Sequence, residues 1–267
     1  MSFLSQILSL SRQEPGTASL ASRGLRLQSI FAGHHLRLSN KVHLCEQGVT
    51  YASFAKNANI LAAALRELVW AYKYSGQPDS LQKRLLTHQE LLNLSHQVSP
   101  LVQSSIYSDY SITLAESGRV REAEFYIGLA QEILPDDPRS DPAFAIDGSS
   151  CVFNLSYCAG FVYIHAGRIA QAFSAFERYK QHPSGLVIPE RMRLEIANGQ
   201  SRAAILDNDA ERYADLLEDV LVGSVRIDSQ KRFDEALQIF QEDMPASWLQ
   251  VERIKELVEQ YGLKREK

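Results

Sequence analysis

The stretch Ser104-Ser-Ile-Tyr-Ser-Asp-Tyr-Ser-Ile-Thr-Leu-Ala-Glu-Ser-Gly-Arg-Val-Arg-Glu-Ala-Glu-Phe-Tyr-Ile-Gly-Leu-Ala-Gln-Glu-Ile-Leu-Pro135 decides the fold class. Before Gly118, Tyr107, Tyr110-Ser111 and Leu114 recur at spacings of three and four; after it, Ala123, Ile127 and Ala130 do the same. Such spacing on both sides of a glycine predicts two amphipathic helices joined by a tight turn. Gly118 supplies the left-handed backbone that ends the first helix, and Pro135 stops the second. Ser111 and Ala123 are small enough to let the two helices approach closely.

The same offsets recur elsewhere. Ala159-Gly160 and Tyr163 precede Gly167, and Ala172, Phe176 and Tyr179 follow it. Leu65, Leu68-Val69 and Tyr72 precede Gly76, with Leu81 and Leu85 beyond. A weaker copy centres on Asn208, and the earliest is expected to turn at Gly33, between Leu25 and Ser29 and the group Leu38, Val42 and Cys45. Leu134 to Ser150, with three prolines among Asp, Gly and Ser, predicts a loop, and His182 to Pro189 a second break. The repeat pattern echoes at Arg232-Phe-Asp-Glu-Ala236. A last helix, about Ala246 to Gln260, would place Trp248, Val251, Ile254, Leu257 and Val258 on one side. The chain therefore divides into an N-terminal segment (1–15), an array of helical hairpins (16–222), and a repeat echo with a capping helix (223–267).

Leu114-Ala-Glu-Ser-Gly-Arg-Val-Arg-Glu-Ala123 and Tyr163-Ile-His-Ala-Gly-Arg-Ile-Ala-Gln-Ala172 resemble the turn signature of the tetratricopeptide repeat. The resemblance implies an all-α fold, a right-handed α-solenoid of about five hairpins with a C-terminal capping helix. The turn residues 33, 76, 118, 167 and 208 lie 43, 42, 49 and 41 apart rather than at the family period, so longer helices or links are expected. More narrowly, Ala123-Glu-Phe-Tyr-Ile-Gly-Leu-Ala130, Ile188-Pro-Glu-Arg-Met-Arg-Leu-Glu-Ile196 and the tract from Gly223 to Ala236 resemble the sensor region of Xre-type bacterial transcription regulators. Residues 1–20 are too few for a DNA-binding domain, so a stand-alone relative or a piece of a longer chain is expected.

In such stacks the leading helix of each hairpin lines the concave side, at ten, six, three and two residues before the turn. Counting back implies Arg66, Trp70, Lys73 and Tyr74 before Gly76, and Asn154, Tyr157, Phe161, Ile164 and His165 before Gly167. Asn198, Arg202 and Ile205 precede Asn208. Asparagine amides pair with both N–H and C=O of an extended peptide, arginines grip carboxylates, and Trp and Tyr give flat apolar area.

Composition bounds the alternatives. Apolar residues make up 45% and charged residues 22%, a globular balance, and the net charge of −4 gives no global attraction to nucleic acid or anionic lipid. No apolar run reaches the length of a membrane span, and the N-terminus is a poor signal peptide. Cys45, Cys151 and Cys158 are an odd set without CxxC spacing, which points to buried thiols in a reducing compartment, hence the cytoplasm. His43 and Cys45 would diverge by about 200° on a helix, and no phosphate-loop, dinucleotide or metalloprotease motif occurs. No cofactor or metal is expected. The sequence points to a binding module taking a peptide, protein segment or small effector on its concave face, and not to an enzyme. The rival readings are an all-α enzyme, isoprenoid-synthase-like, with a metal on Asp136, Asp137 and Asp141, and a structural adaptor or self-associating protein.

Overall fold

The computed structural model describes residues 14–148, 151–183 and 185–264. Most of the expected N-terminal segment and the last three tail residues lie outside that range. Every regular element described is helical. In order they are α1 (Pro15–His34), α2 (Leu38–Phe54), α3 (Ala58–Tyr74), α4 (Ser80–Leu94), α5 (Pro100–Glu116), α6 (Val120–Ile133), α7 (Phe144–Asp147), α8 (Cys151–His165), α9 (Ile169–Glu177), α10 (Glu190–Leu206), α11 (Ala210–Arg226), α12 (Gln230–Gln238) and α13 (Glu252–Tyr261). Two compact units divide the chain, Met1–Leu155 and Ser156–Lys267.

A single turn chemistry closes helices in both units. The N–H groups of Arg37, Arg119, Arg168, Asp209 and Ser229 donate to the carbonyls of Ala32, Leu114, Tyr163, Ala204 and Ser224, each at 2.9 Å. Each bond spans a left-handed residue: Leu36, Gly118, Gly167, Asn208 and Asp228. This closure satisfies a carbonyl that the helix end would otherwise strand.

Gly33 is the exception to the expected turns. It lies inside α1, and the chain reverses at Leu36, with φ of 54°. The glycine serves packing instead: a Cβ at Gly33 would stand 3.1 Å from Cδ of Lys41. The final expected helix is also interrupted. Ala246–Gln250 forms a 3₁₀ turn, Val251 is extended (ψ 127°), and only then does α13 begin.

In the first unit, successive helices pack neighbour on neighbour, and α1, α3 and α5 also touch directly, α1 on α3 and α3 on α5. Asn57 caps α3 through the amides of Asn59 (3.0 Å) and Ile60 (3.3 Å). α5 is buried on nearly every side rather than on one stripe. It tolerates this because Ser104, Ser105, Ser108 and Ser111 are small. Ser108 and Ser111 return their hydroxyls to carbonyls of their own helix, at 2.9 and 2.6 Å, and Ser104 donates across to Ala130 at 2.7 Å. The loop before α8 supplies the start of α5: the Asp141 carboxylate accepts from Leu101 N at 3.1 Å and Ala143 N at 2.8 Å.

The second unit is built around Phe176 of α9, which has no exposed surface. Its ring lies over two glycines. A Cβ on Gly160 of α8 would come within 2.3 Å of it, and one on Gly199 of α10 within 2.7 Å. The Phe161 and Phe176 rings meet edge-on at 5.8 Å. α11 packs on α10, α12 on both, and α13 on α11.

Two outcomes test these packing arguments by thermal melts. Leu36→Gly should stabilise the protein by about 1 kcal/mol, because a leucine in left-handed backbone costs roughly that much. Gly160→Ala should destabilise it by about 1–3 kcal/mol, because the ring of Phe176 occupies the methyl's place.

Candidate functional site

One carboxylate gathers three of the residues that repeat spacing assigned to the groove. Asp109, on α5, is fully buried. Its Oδ2 accepts from Nε of Arg66 at 2.6 Å, and its Oδ1 from Nε1 of Trp70 at 3.1 Å and Nδ2 of Asn154 at 2.8 Å. Arg66 and Trp70 are one turn apart on α3, and Asn154 sits in the first turn of α8. Three elements of the first unit are thus tied to one anion. Arg66 and Asn154 are buried, so they set the geometry beneath the surface, while Trp70 stays half-buried.

Above that anchor lies a polar and aromatic surface. The Trp70 and Tyr74 rings stack at 6.0 Å, and Nζ of Lys73 stands 5.1 Å from the centre of the Trp70 ring. Lys73 also pairs with Glu116 Oε1 at 2.7 Å, and Arg84 of α4 pairs with the other oxygen of the same carboxylate. Burial alone would raise the Glu116 carboxyl; Lys73 and Arg84 together outweigh it and hold it down at about 2.

His88 of α4 lies beside this group with no exposed surface. Its Nε2 is 3.1 Å from Oγ1 of Thr113, and its ring lies 5.1 Å from that of Tyr110. Burial first, then Arg84 and Arg66, push the imidazole down to about 3, so it is neutral.

In the second unit, Tyr157 and Phe161 stand 4.7 Å apart, Tyr157 buried and Phe161 half-buried. The guanidinium of Arg232, on α12, is held by Glu195 at 2.5 Å and Glu235 at 2.6 Å. Nδ2 of Asn198 reaches the Arg232 carbonyl at 3.3 Å and Glu235 at 3.4 Å. Burial raises the Tyr157 phenol well above its usual value, with Glu195 and Glu235 adding to the effect. His165 is exposed and Arg202 half-buried, Arg202 lying 3.6 Å from Asp243.

Asp109, Glu116, Arg84, Glu195, Arg232 and Glu235 are functional-site candidates that repeat spacing did not name. The signal for Asp109 was present: it is the single charge between Pro100 and Ala115. Counting two back from Gly118 would have found Glu116.

Two of the three aspartates weighed for a metal, Asp137 and Asp141, have partners within the fold. Asp137 pairs with Arg139 at 2.9 Å, and Asp141 caps the start of α5. No cluster of metal-ligating side chains occurs among the described residues. All three cysteines are buried and unbridged; burial raises the Cys45 thiol to about 12 and that of Cys151 to about 11. No described helix is long and apolar enough to cross a membrane. No family model and no curated protein matches the sequence.

Two measurements check this site. Asp109→Asn should cost about 3–5 kcal/mol in chemical denaturation, because the buried Arg66 charge loses its counter-ion; adding Arg66→Met should recover much of that loss. Acid should weaken the first unit in two steps. The neutral His88 favours the fold fully above about pH 6.5, and that contribution falls as pH drops toward 3. The Glu116 contribution is lost lower, between its ordinary range and about 2. His88→Phe should therefore flatten stability against pH above 3, by up to a few kcal/mol, leaving the lower step in place.

Proposed function

We propose that this protein is a binding module, an α-solenoid of tetratricopeptide-like hairpins that takes a peptide or protein segment on the face made by its leading helices. The observation that carries this reading is the Asp109 anchor. Repeat spacing before Gly76 points to Arg66 and Trp70, and Asn154 lies one turn ahead of the corresponding positions before Gly167. Their convergence on one carboxylate supports a shared face formed by α3, α5 and α8.

On this reading Trp70 and Tyr74 are the contact surface and Asp109 holds the indole in place. A ring whose orientation is already fixed loses little further entropy when a ligand lies on it. Lys73 and Glu116 at its edge offer one donor and one acceptor group to an extended backbone or polar side chain. In the second unit, Phe161 and Arg202 are the corresponding candidates, whereas Asn198 is buried and bonded to Arg232 and Glu235. The role that fits the sequence resemblance is the ligand-sensing part of a cytoplasmic bacterial regulatory system. Occupancy would favour one curvature of the stack by the difference in affinity for two curvatures.

A random-sequence peptide display selection against the full chain supplies the probe. A selected peptide should lose roughly tenfold or more in affinity with Tyr74→Ala or Arg202→Ala, while both variants melt like the parent. Peptide affinity unchanged in both would reject the leading-helix face.

A further inference from the structure

α1 carries a second apolar surface that the packing does not use. Its buried side, Ala18, Ala21, Ser22, Leu25, Ser29 and Ala32, faces α2 and α3. On the opposite side, Leu20, Leu27 and Phe31 are 60%, 55% and 59% exposed. With half-buried Gly24 between them, the positions 20, 24, 27 and 31 follow spacings of four, three and four. That is the seam of a left-handed helix pair, with knobs at a and d positions. Space above the seam is open: a Cβ built on Gly24 would meet nothing within 4 Å.

Charge then selects the occupant. Residues 15–45 contain Arg23, Arg26, Arg37 and Lys41 and no Asp or Glu, although the whole chain carries −4. Arg26 and Lys41 are turned inward, to the Ile146 carbonyl at 2.8 Å and to Glu67. Arg23 and Arg37 are exposed, Arg23 also donating to the Ala145 carbonyl at 3.1 Å. Arg23 lies three residues after Leu20 and four before Leu27, directly on the flank of the seam.

We infer that this face of α1 docks one acidic amphipathic helix of a partner protein, with leucine-type residues along its seam and Glu or Asp beside them. A second copy of this chain fits poorly, because α1 against α1 would offer Arg23 no carboxylate: the helix, Pro15–His34, carries no Asp or Glu, and Glu14 stands at its N-cap, away from Arg23. A lipid surface fits poorly as well. The four seam positions fall within about 60° of the helix circumference, narrower than the apolar sector of a helix lying in a membrane interface. This surface is separate from the Trp70 and Tyr74 face, and its occupancy does not depend on that reading.

The test uses the intact chain and two labelled three-heptad peptides, both with leucine at the seam, one flanked by Glu and the other by Lys. The Glu peptide should bind saturably, more weakly as salt rises, and the Lys peptide should not. Leu27→Asn with Phe31→Gln should weaken the Glu peptide at least about tenfold, and Arg23→Glu should transfer the preference to the Lys peptide. The seam residues are exposed, so the fold should survive, as a thermal melt will verify; if the double variant unfolds, Arg23→Glu alone decides. The inference is overturned if neither peptide binds or both bind equally. It is overturned too if the double variant abolishes self-association in sedimentation or binding to phosphatidylserine vesicles while leaving the Glu peptide unaffected.

Discussion

A carboxylate removed from water must be answered by protein groups, and Asp109 is answered by three. Arg66 supplies the counter-charge, and Trp70 and Asn154 supply neutral donors. Each comes from a helix other than the one bearing the aspartate, so the anion fixes spacing and rotation between α3, α5 and the start of α8. An apolar contact in the same place would tolerate sliding; a charge with three directional bonds does not. The cost of desolvating Asp109 and Arg66 means that the pair adds specificity more than stability.

Around that anchor the first unit is held by similar pairings between neighbouring helices. Lys41 meets Glu67, and Lys73 and Arg84 share Glu116. Serines line α5 where bulkier residues would force its neighbours away. The second unit solves the same problem differently. There, two glycines on different helices accept one phenylalanine ring, and Arg232 is clasped by Glu195 and Glu235. Both units bury an apolar core; the first adds ion pairs between neighbouring helices, the second a ring in a glycine cleft with a buried ionic clasp.

The same separation of roles runs through the candidate site. Residues assigned to the groove by spacing fall into two layers. Arg66 and Asn154 lie beneath the surface and position it, whereas Trp70, Lys73 and Tyr74 sit half-buried where a ligand could lie. Burial divides them because helical spacing gives direction around the axis but not depth. A side chain can point toward a face and still be covered by the neighbouring helix.

The turns were legible from sequence where the backbone demanded a rare residue. Gly76, Gly118, Gly167 and Asn208 all adopt left-handed backbone, which glycine and asparagine tolerate best. The helical class followed from spacings of three and four, since no other periodicity buries those apolar residues. Tertiary structure decided the rest. It placed the first reversal at Leu36 and left Gly33 inside α1 against Lys41, and it split the last helix at Val251. It also turned an isolated aspartate in α5 into the anchor for residues 43 and 45 positions away. Local sequence specifies conformation, which depends on neighbours along the chain. Depth and partnership depend on which distant side chains arrive, and that is settled only when the helices pack.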